Sequence, residues 1–284
     1  MRLLCGKFTL DLGRPLIMGV VNVTPDSFSD GGRYDSIDAA VAHAQRLVDE
    51  GADIIDIGGE STRPGAAEVG LDEERRRVLP VLERLASLDV PVSVDTRKPE
   101  LMSEAVTAGA SMINDVEALQ SAGALAAVAG GNAAVCLMHK RGAPATMQND
   151  PRYDDVVADI AAFLVDRVRA VRAAGISDER IVVDPGFGFG KTLAHNLQLL
   201  NRLKEVAPTG VALLAGISRK SMLGQITGRD AAGRVHASVA AALIAVQNGA
   251  HIVRVHDVAA TRDALAVWQA VIQDGRGGDS RPKP

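Results

Sequence analysis

The sequence predicts an α/β domain built as a (β/α)₈ TIM barrel with a short N-terminal hairpin. Eight apolar, β-branched segments recur along the 284 residues, and stretches with helical periodicity separate them. Each segment is apolar along nearly its whole length, as parallel strands are when helices cover both faces. Eight such units in about 250 residues fit the barrel. A doubly wound sheet is the main alternative, but its glycine fingerprint should follow the first strand, where NVTPDSF stands instead.

The predicted strands follow a short N-terminal stretch, LLCGKFTLDLGRP, that has the pattern of a hairpin. In chain order they are LIMGVV (16–21), DIIDIG (53–58), PVSVD (91–95), SMIND (111–115), AAVCLM (133–138), RIVVD (180–184), VALLAGI (211–217) and HIVRV (251–255).

Between the strands, apolar residues three or four positions apart predict helices with one inward face. The first has Ser36 as a candidate N-cap and Gly51 as its C-terminal stop, and another runs from Asp154 to Gly175. Residues 1–274 are therefore predicted to form one domain. The Gly-, Pro- and charge-rich end, GRGGDSRPKP (275–284), is predicted to be a disordered tail.

Composition narrows the class of protein. With 47% hydrophobic residues, 23% charged residues and a net charge of −4, the chain has the balance of a soluble enzyme, and its dispersed basic residues argue against nucleic-acid binding. No apolar stretch approaches the roughly 20 residues of a membrane span. The N-terminus has no signal core, so we expect a cytoplasmic location. Two cysteines provide no disulfide framework, and Cys136 is predicted to be a buried small side chain.

Polar residues follow the apolar segments, at the end of a TIM barrel that carries the active site. They are Asn22, Glu60, Ser61, Thr62, Arg63, Asp95, Asn114, Asp115, His139, Lys140, Asp184, Ser218, Arg219, Lys220, Ser221, Arg254, His256 and Asp257. Any one position is also explained by loops, which need polar groups for their backbone. That explanation is weaker for Asp95, Asn114 and Asp184, because burying an unpaired carboxylate in an apolar run is costly. These three predict a ligand rich in N–H donors, such as a guanidine-like or aminopyrimidine edge.

A candidate anion site lies on the last strand. Arg254 and His256 alternate with valines and so share one face of the strand. With Arg63 and Asn22 they form a candidate phosphate site, in which arginine binds in a bidentate manner.

Two further motifs have competing interpretations. GFGFGKT (186–192) resembles a nucleotide P-loop, but its glycines are one residue too close and Pro185 occupies the position of the first glycine. Lys220 suits a Schiff-base lysine. It equally suits anion recognition beside Arg219 and the neighbouring serines at a helix start.

Motifs that cover almost the whole chain resemble those of the dihydropteroate synthase family. All occur in the family's order: NVTPDSFSDGG (22–32), DIGGESTRPG (56–65), VSVDT (92–96), INDV (113–116), the MHKRG and TMQ segments (138–148), DPGFGFGK (184–191), GISRKSM (216–222) and RVHDV (254–258). The resemblance implies a transferase that condenses 6-hydroxymethyl-7,8-dihydropterin diphosphate with p-aminobenzoate. The products are 7,8-dihydropteroate and diphosphate, in folate synthesis.

The resemblance also implies roles for individual residues. It places Asp95, Asn114 and Asp184 on the pterin edge, Lys220 on the pterin carbonyl side, and Met138 against the ring, although Met138 equally suits the core. The implied diphosphate ligands are Asn22, Thr62, Arg63, Arg254 and His256. Mg²⁺ would bridge the diphosphate oxygens, with Asn22 as its protein ligand. The carbon–oxygen bond is expected to break before the amine attacks, which leaves a pterin-methyl cation.

For the second substrate, the resemblance implies a pocket between two mobile loops, which contribute Phe28 and Pro64, and three further positions. These are Phe189 as a ring face, Lys220 as a cation and Ser221 as a hydroxyl at a helix start. Asp26 would support the cation or relay the proton of the amine. Phe187 competes with Phe189 for the ring contact. Sulfonamides mimic p-aminobenzoate and should bind the same pocket.

Family members form homodimers through late helices. Here ASVAAALIAVQNG (237–249) suits such an interface, and it equally suits an inward-facing barrel helix. Two rival functions remain. A pterin barrel that serves a corrinoid protein would not need GISRKSM or a diphosphate clamp, and a non-catalytic pterin-binding protein would lose the catalytic loops.

Overall fold

The computed structural model describes residues 1–23, 33–61, 68–142 and 146–277. Within them, eight parallel strands close into a barrel that begins with the third strand of the chain and pairs its last strand back onto that one. The TIM barrel and all eight predicted strands are therefore confirmed. The strands are β1 (Arg2–Cys5), β2 (Phe8–Asp11), β3 (Leu16–Asn22), β4 (Ile54–Gly58), β5 (Val92–Asp95), β6 (Met112–Asp115), β7 (Ala134–Met138), β8 (Ile181–Asp184), β9 (Ala212–Ala215) and β10 (Ile252–Val255).

Helices alternate with the barrel strands and cover their outer faces. They are α1 (Arg33–Asp49), α2 (Leu71–Leu85), α3 (Pro99–Thr107), α4 (Ala124–Ala129), α5 (Val156–Ala173), α6 (Leu193–Asn201), α7 (Ser221–Thr227), α8 (Val235–Gln247) and α9 (Val258–Gly277). Short 3₁₀ turns precede β8 and follow α6 and α7. No helix in these ranges is long and apolar enough to cross a membrane.

Two helix boundaries differ from the sequence-based expectation. Helix α1 begins at Arg33, so Ser36 lies in its first turn and is not its N-cap. Helix α9 continues to Gly277, three residues into the segment assigned to the tail. Glycine and arginine near a helix end are tolerated there, because the last turn needs little packing. Residues 278–284 lie outside the described residues.

The hairpin β1–β2 closes the N-terminal end of the barrel. Leu3 and Cys5 are buried in one cluster with barrel-lining residues such as Met18 and Ile54, and the Cys5 thiol contacts the Ser111 carbonyl at 3.2 Å. Burial raises the pKa of Cys5 to about 12, so this thiol is not a reactive nucleophile. The other end of the barrel, where the strands terminate, remains for the active site.

The alternation along each strand determines which side chains enter the barrel. On β4, Ile55 and Ile57 pack outward against the helices, whereas Ile54 belongs to the interior cluster. Asp56 lies between the two outward residues and therefore points into the barrel, two residues nearer the mouth than Ile54.

Candidate active site

Four strand ends meet in one row at the mouth of the barrel. Asn22 pairs in register with Gly58, Gly58 with Asp95, and Asp95 with Asn114. The predicted amide and carboxylate residues therefore lie on adjacent strands. Gly58 has no side chain to separate them, and a Cβ there would lie 3.4 Å from the Cβ of Asp95.

Arg254 connects Asp95, in this row, with Asp56, which lies deeper in the barrel. Its Nε donates to Asp56 Oδ2 at 2.7 Å and its second terminal nitrogen donates to Asp95 Oδ2 at 3.0 Å. Asn114 Nδ2 donates to the same Asp56 oxygen at 3.2 Å. A guanidinium held between two carboxylates has a fixed plane, so Arg254 forms a rigid part of the pocket floor.

These groups shift one another's protonation. Burial, with the nearby charge of Asp56, raises the pKa of Asp95 to about 7, although Arg254 acts in the opposite direction. Burial disfavours the charged guanidinium of Arg254, but Asp56 and Asp95 more than compensate and raise its pKa. Among the described residues, Asp56 Oδ1 is buried without a hydrogen-bond partner. A cluster of this kind is typical of functional sites, because its cost to folding is balanced by ligand binding.

Asp184 approaches the same floor from β8. Its Oδ1 accepts a hydrogen bond from Gly186 N at 2.7 Å, and its Oδ2 lies 3.8 Å from the place where a Cβ of Gly216 would stand. Arg254 carbons lie 3.7 and 3.9 Å from that same place. Burial raises the pKa of Asp184, and Lys220 opposes this increase.

Lys220 lies between the floor and the loop that follows β8. Its ammonium donates to the Phe187 carbonyl and stands 4.5 Å from the centre of the Phe189 ring. Burial lowers the pKa of Lys220 to about 8, although Asp184 favours the charged form. Phe187 is fully buried in the core, whereas Phe189 is only half-buried. The structure thus assigns Phe189, rather than Phe187, to the site.

The segment after β9 has two parts with different roles. Arg219 makes a two-point ion pair with Asp257, at 3.0 and 2.5 Å, and does not face the floor as an anion ligand. Arg219 also has a left-handed backbone (φ 59°), and its partner Asp257 directly precedes α9. Ser218 Oγ lies 3.0 Å from His256 Nδ1, and Ser221 is exposed at the first position of α7.

Asp115 is structural rather than ligand-facing. Its two oxygens accept hydrogen bonds from Glu117 N at 2.8 Å and Leu119 N at 2.7 Å, and its side chain is fully buried. These bonds hold a tight turn in which Ala118 and Leu119 both have positive φ. Burial raises the pKa of Asp115 to about 6.

Met138 ends β7 in register with Asp184 and is 4% exposed. It therefore lies beside the site while remaining mostly in the core. Five predicted site residues lie outside the described residues: Asp26, Phe28, Thr62, Arg63 and Pro64.

Three features were absent from the sequence-based set. Asp56 carries the same signal as Asp95, a carboxylate within an apolar run, and could have been found by that rule. Lys98 donates to Glu60 at 2.6 Å and to buried Glu74, which fixes the start of the loop after β4. The third is Lys191, whose side chain is buried behind the loop after β8.

Gly186 is required by the packing of this loop. Its φ is +67°, and an added Cβ would stand 1.9 Å from the His139 carbonyl oxygen. We expect Gly186→Ala to lower the free energy of unfolding by about 2 kcal/mol or more, because strain and a backbone clash combine. Urea denaturation would measure this. As a control, Gly130→Ala, with open space around its Cβ and negative φ, should change stability by less than about 1 kcal/mol.

The fold and the site together define a pterin-binding barrel. Side chains that accept hydrogen bonds line the floor, and a lysine and an aromatic ring flank it. The model of the family described as "Pterin binding enzyme" matches residues 18–256. More specifically, dihydropteroate synthases that are 49–54% identical over at least 94% of its length show that the chain belongs to the dihydropteroate synthase family and is a transferase.

Sequence relatives and solved structures support the assignment to this family. The dihydropteroate synthase of Neisseria meningitidis serogroup C is 54% identical over 271 residues, which are 94% of this chain and 96% of the relative. The structure of Xanthomonas albilineans dihydropteroate synthase with 4-aminobenzoic acid has 57% identity and a TM-score of 0.90, and the match covers 95% of this chain and 98% of that one. The Burkholderia cenocepacia enzyme complexed with 7,8-dihydropteroate has 51% identity and a TM-score of 0.90, with coverage of 97% and 98%.

Proposed function

We propose that the floor of the site binds the pterin of 6-hydroxymethyl-7,8-dihydropterin diphosphate and that p-aminobenzoate attacks its methylene carbon, giving 7,8-dihydropteroate and diphosphate. The observation that carries this assignment is the convergence of Asp95, Asn114 and Asp184 around Arg254. Carboxylate and amide oxygens suit the N–H groups of an aminopyrimidine edge. Lys220, a donor on the opposite side, suits the pterin carbonyl.

The proposed diphosphate ligands are Asn22, Thr62, Arg63, Arg254 and His256. Arg254 Nε and one N–H group of its second terminal nitrogen already donate to carboxylates, so any contact with diphosphate uses the three N–H groups that remain on the two terminal nitrogens. His256 is positioned by Ser218, which lies against its Nδ1. A ring held in this way presents its Nε2 in a fixed direction.

Mg²⁺ fits this site as an ion held mainly by the substrate. Across the described ranges, no cluster of three or more His, Cys, Asp or Glu side chains could hold a metal. Asn22, half-buried at the end of β3, offers one neutral oxygen, and Mg²⁺ commonly combines few protein ligands with phosphate oxygens and water. When bound, the ion would neutralise charge on the departing diphosphate.

The residues of this chain would then stabilise opposite charges in the transition state. The floor carboxylates favour a positive pterin-methyl carbon, and Arg63 favours the departing anion. Because Asp56 and Asp95 are already held by Arg254, and Asp184 by Gly186 N, these carboxylates need not reorganise as charge develops. Asp26 supports the cation or accepts the proton of the attacking amine.

The second substrate would lie between Phe189, Lys220 and Ser221, with Phe28 and Pro64 completing the pocket. The half-buried Phe189 ring offers a stacking face, and the Lys220 ammonium lies 4.5 Å from its centre. A benzoate ring with a carboxylate at one end matches an aromatic face beside a cation and a hydroxyl. Sulfonamides have the same shape and should compete for this pocket.

The direct test is incubation of the purified protein with dihydropterin diphosphate, Mg²⁺ and labelled p-aminobenzoate. We expect labelled dihydropteroate, with diphosphate released in equal amount. Pterin binding without product would contradict the synthase assignment and favour a binding module. A chelator should suppress turnover, and added Mg²⁺ should restore it.

Asp26→Ala tests the proposed role of one loop residue. We expect pterin affinity to change by less than about threefold, because the proposed pterin contacts come from Asp95, Asn114 and Asp184, while kcat falls at least about tenfold as general-base or electrostatic assistance is lost. Isothermal titration and steady-state kinetics measure the two effects separately. Unchanged kcat would remove Asp26 from the mechanism.

We also propose a homodimer formed through α8 and α9. The inner side of α8 packs Ala241, Ala242 and Ala245 into the core, while Ile244 on its outer side is 42% exposed. On α9, Val267 and Val271 are each 67% exposed, and the two helices pack together. The sequence of α8 suits both a barrel helix and a dimer interface. We propose that it serves as both, with one side packed against the barrel and the exposed side against a second subunit.

Charge placed on this face should separate the subunits. We expect the wild type to sediment as a dimer and the Ile244→Glu/Val267→Glu variant as a monomer, because a dimer interface would bury both carboxylates. Val165→Glu, on α5 and equally exposed at 41%, is the matched control and should remain dimeric. A monomeric wild type, or a dimer that persists in the double variant, would reject this interface.

A further inference from the structure

Lys191 is a buried lysine that contacts backbone. It follows the GFGFG segment, is 3% exposed, and lies behind the loop that carries Phe189. Its Nζ lies 2.9 Å from the Gly186 carbonyl oxygen, 3.0 Å from the Phe189 carbonyl oxygen and 3.0 Å from His139 Nδ1.

The N–H donors of the Lys191 ammonium and the acceptors around it match in number. An ammonium has three N–H groups, and the three nearest acceptors are two carbonyls and one ring nitrogen. His139 can accept at Nδ1 because burial and the Lys191 charge lower its pKa to about 3 and keep the ring neutral. Of the carboxylates in the described ranges, none forms a salt bridge with Lys191. Burial lowers the pKa of the amine; loop carbonyls and the imidazole offset the cost of burial at hydrogen-bond distance, and the charge of Asp184 opposes it from further away.

The loop fits closely against the end of β7. An added Cβ on Gly190 would lie 2.3 Å from the Arg141 carbonyl oxygen, so only glycine fits there. The Tyr153 hydroxyl donates to the Gly190 carbonyl at 2.9 Å. The segment 186–190 is thus held from behind by Lys191 and at its end by Tyr153.

The front of the same loop forms one wall of the site. Lys220 donates to the Phe187 carbonyl, and its Cδ lies 3.3 Å from the place a Gly188 Cβ would occupy. Carbonyls of residues 186, 187 and 189 therefore bind two lysines, Lys191 on the buried side and Lys220 on the substrate side. Movement of the loop would displace the Phe189 ring and the Lys220 ammonium together.

We propose that Lys191 is a positioning residue for p-aminobenzoate: by binding the Gly186 and Phe189 carbonyls, it sets the Phe189 ring and the Lys220 ammonium at the spacing that the second substrate needs. This inference rests on the proposed function, because it assigns Phe189 and Lys220 to that substrate. Lys191 does not touch the substrate and takes no part in proton transfer. The pterin edge contacts at Asp95 and Asn114 lie on other strands and do not depend on it.

The test is Lys191→Met, which keeps the length of the side chain and removes its donors. We expect the KM for p-aminobenzoate and the Kd of a sulfonamide to rise about tenfold or more, the loss of about one charge-assisted hydrogen bond. The Kd of dihydropterin diphosphate should rise by about threefold at most, because Lys220 and Asp184 contact both this loop and the pterin whereas Asp95 and Asn114 do not depend on the loop. Equal losses for both substrates, or an unchanged KM for p-aminobenzoate, would overturn the proposal.

Tyr153→Phe provides a milder test if the buried substitution prevents folding. It removes one bond to the same loop, so we expect the same selective rise in KM for p-aminobenzoate, of about threefold. Arg180→Met is the matched control, because Arg180 also binds a backbone carbonyl (Ala133, 2.8 and 3.0 Å) but precedes β8, at the other end of the barrel. It should lower stability without a selective change in KM, and a selective rise there would count against the proposal.

The outcomes also separate this inference from the function itself. A wild-type protein that makes no dihydropteroate rejects the proposed function. A wild type that makes dihydropteroate, with Lys191→Met and Tyr153→Phe variants that retain its KM for p-aminobenzoate, rejects only the positioning role.

Discussion

Replacing Arg254 with methionine should abolish detectable turnover and lower the free energy of unfolding by about 3–5 kcal/mol. Within the part of the chain that the structure describes, Arg254 is the one group that binds both Asp56, at 2.7 Å, and Asp95, at 3.0 Å. Without it, two buried carboxylates face each other, and Asp95 already has a pKa raised to about 7 by burial and by Asp56. Methionine keeps an apolar side chain in the same place, so the loss of stability and turnover can be attributed to removal of the guanidinium. Urea denaturation and the dihydropteroate assay measure the two effects.

A second substitution distinguishes electrostatics from packing. In the Arg254→Met background, Asp56→Asn removes one of the unpaired charges while keeping the side-chain shape. We expect the double variant to regain about 1–3 kcal/mol of stability relative to Arg254→Met. Turnover should stay lost, because the floor of the site has still changed. If Asp56→Asn costs the same in both backgrounds, the two residues are not coupled and this account of the floor is wrong.

The barrel was predictable because its signal is local. Each strand is a short apolar run between helical segments, and Gly51 or Gly175 marks the stop of a helix. The floor residues Asp95, Asn114 and Asp184 were predictable for a related reason, since each ends an apolar run where a polar side chain is costly. Parallel strands place such ends on one side of the barrel without any knowledge of contacts.

The pairings within the site were not predictable, because they join residues far apart in the chain. Arg254 and Asp56 are 198 positions apart, so their hydrogen bond leaves no local pattern. It also changes the interpretation of Arg254, which the sequence assigned to diphosphate alone. Arg219 shows the same limit, because its ion-pair partner Asp257 lies 38 positions further along the chain.

Replacing Asp184 with asparagine should weaken pterin binding by about 100-fold, with a matching loss of kcat/KM. Asp184 Oδ1 accepts from Gly186 N at 2.7 Å, which leaves Oδ2 for the ligand. An amide has one acceptor and one donor group. It must either turn its NH₂ toward the N–H groups of the pterin or leave Gly186 N unpaired, and each arrangement loses a hydrogen bond to a charged acceptor. Isothermal titration with the pterin substrate measures the effect.

Asp184→Asn should raise the free energy of unfolding at pH 8, even though it weakens pterin binding. Burial raises the pKa of Asp184 in the folded protein, so its ionisation at pH 8 opposes folding, and a neutral amide removes that cost. Asp115→Asn is the matched control, because both oxygens of Asp115 accept backbone N–H groups and none faces the floor. Burial raises the pKa of Asp115 as well, but an amide at this position leaves one of the two N–H groups without an acceptor, so the variant should lower stability by about 1–3 kcal/mol and leave pterin affinity within about threefold. If both variants lose stability and retain affinity, Asp184 belongs with Asp115 as a turn-forming residue and the pterin edge must be bound elsewhere.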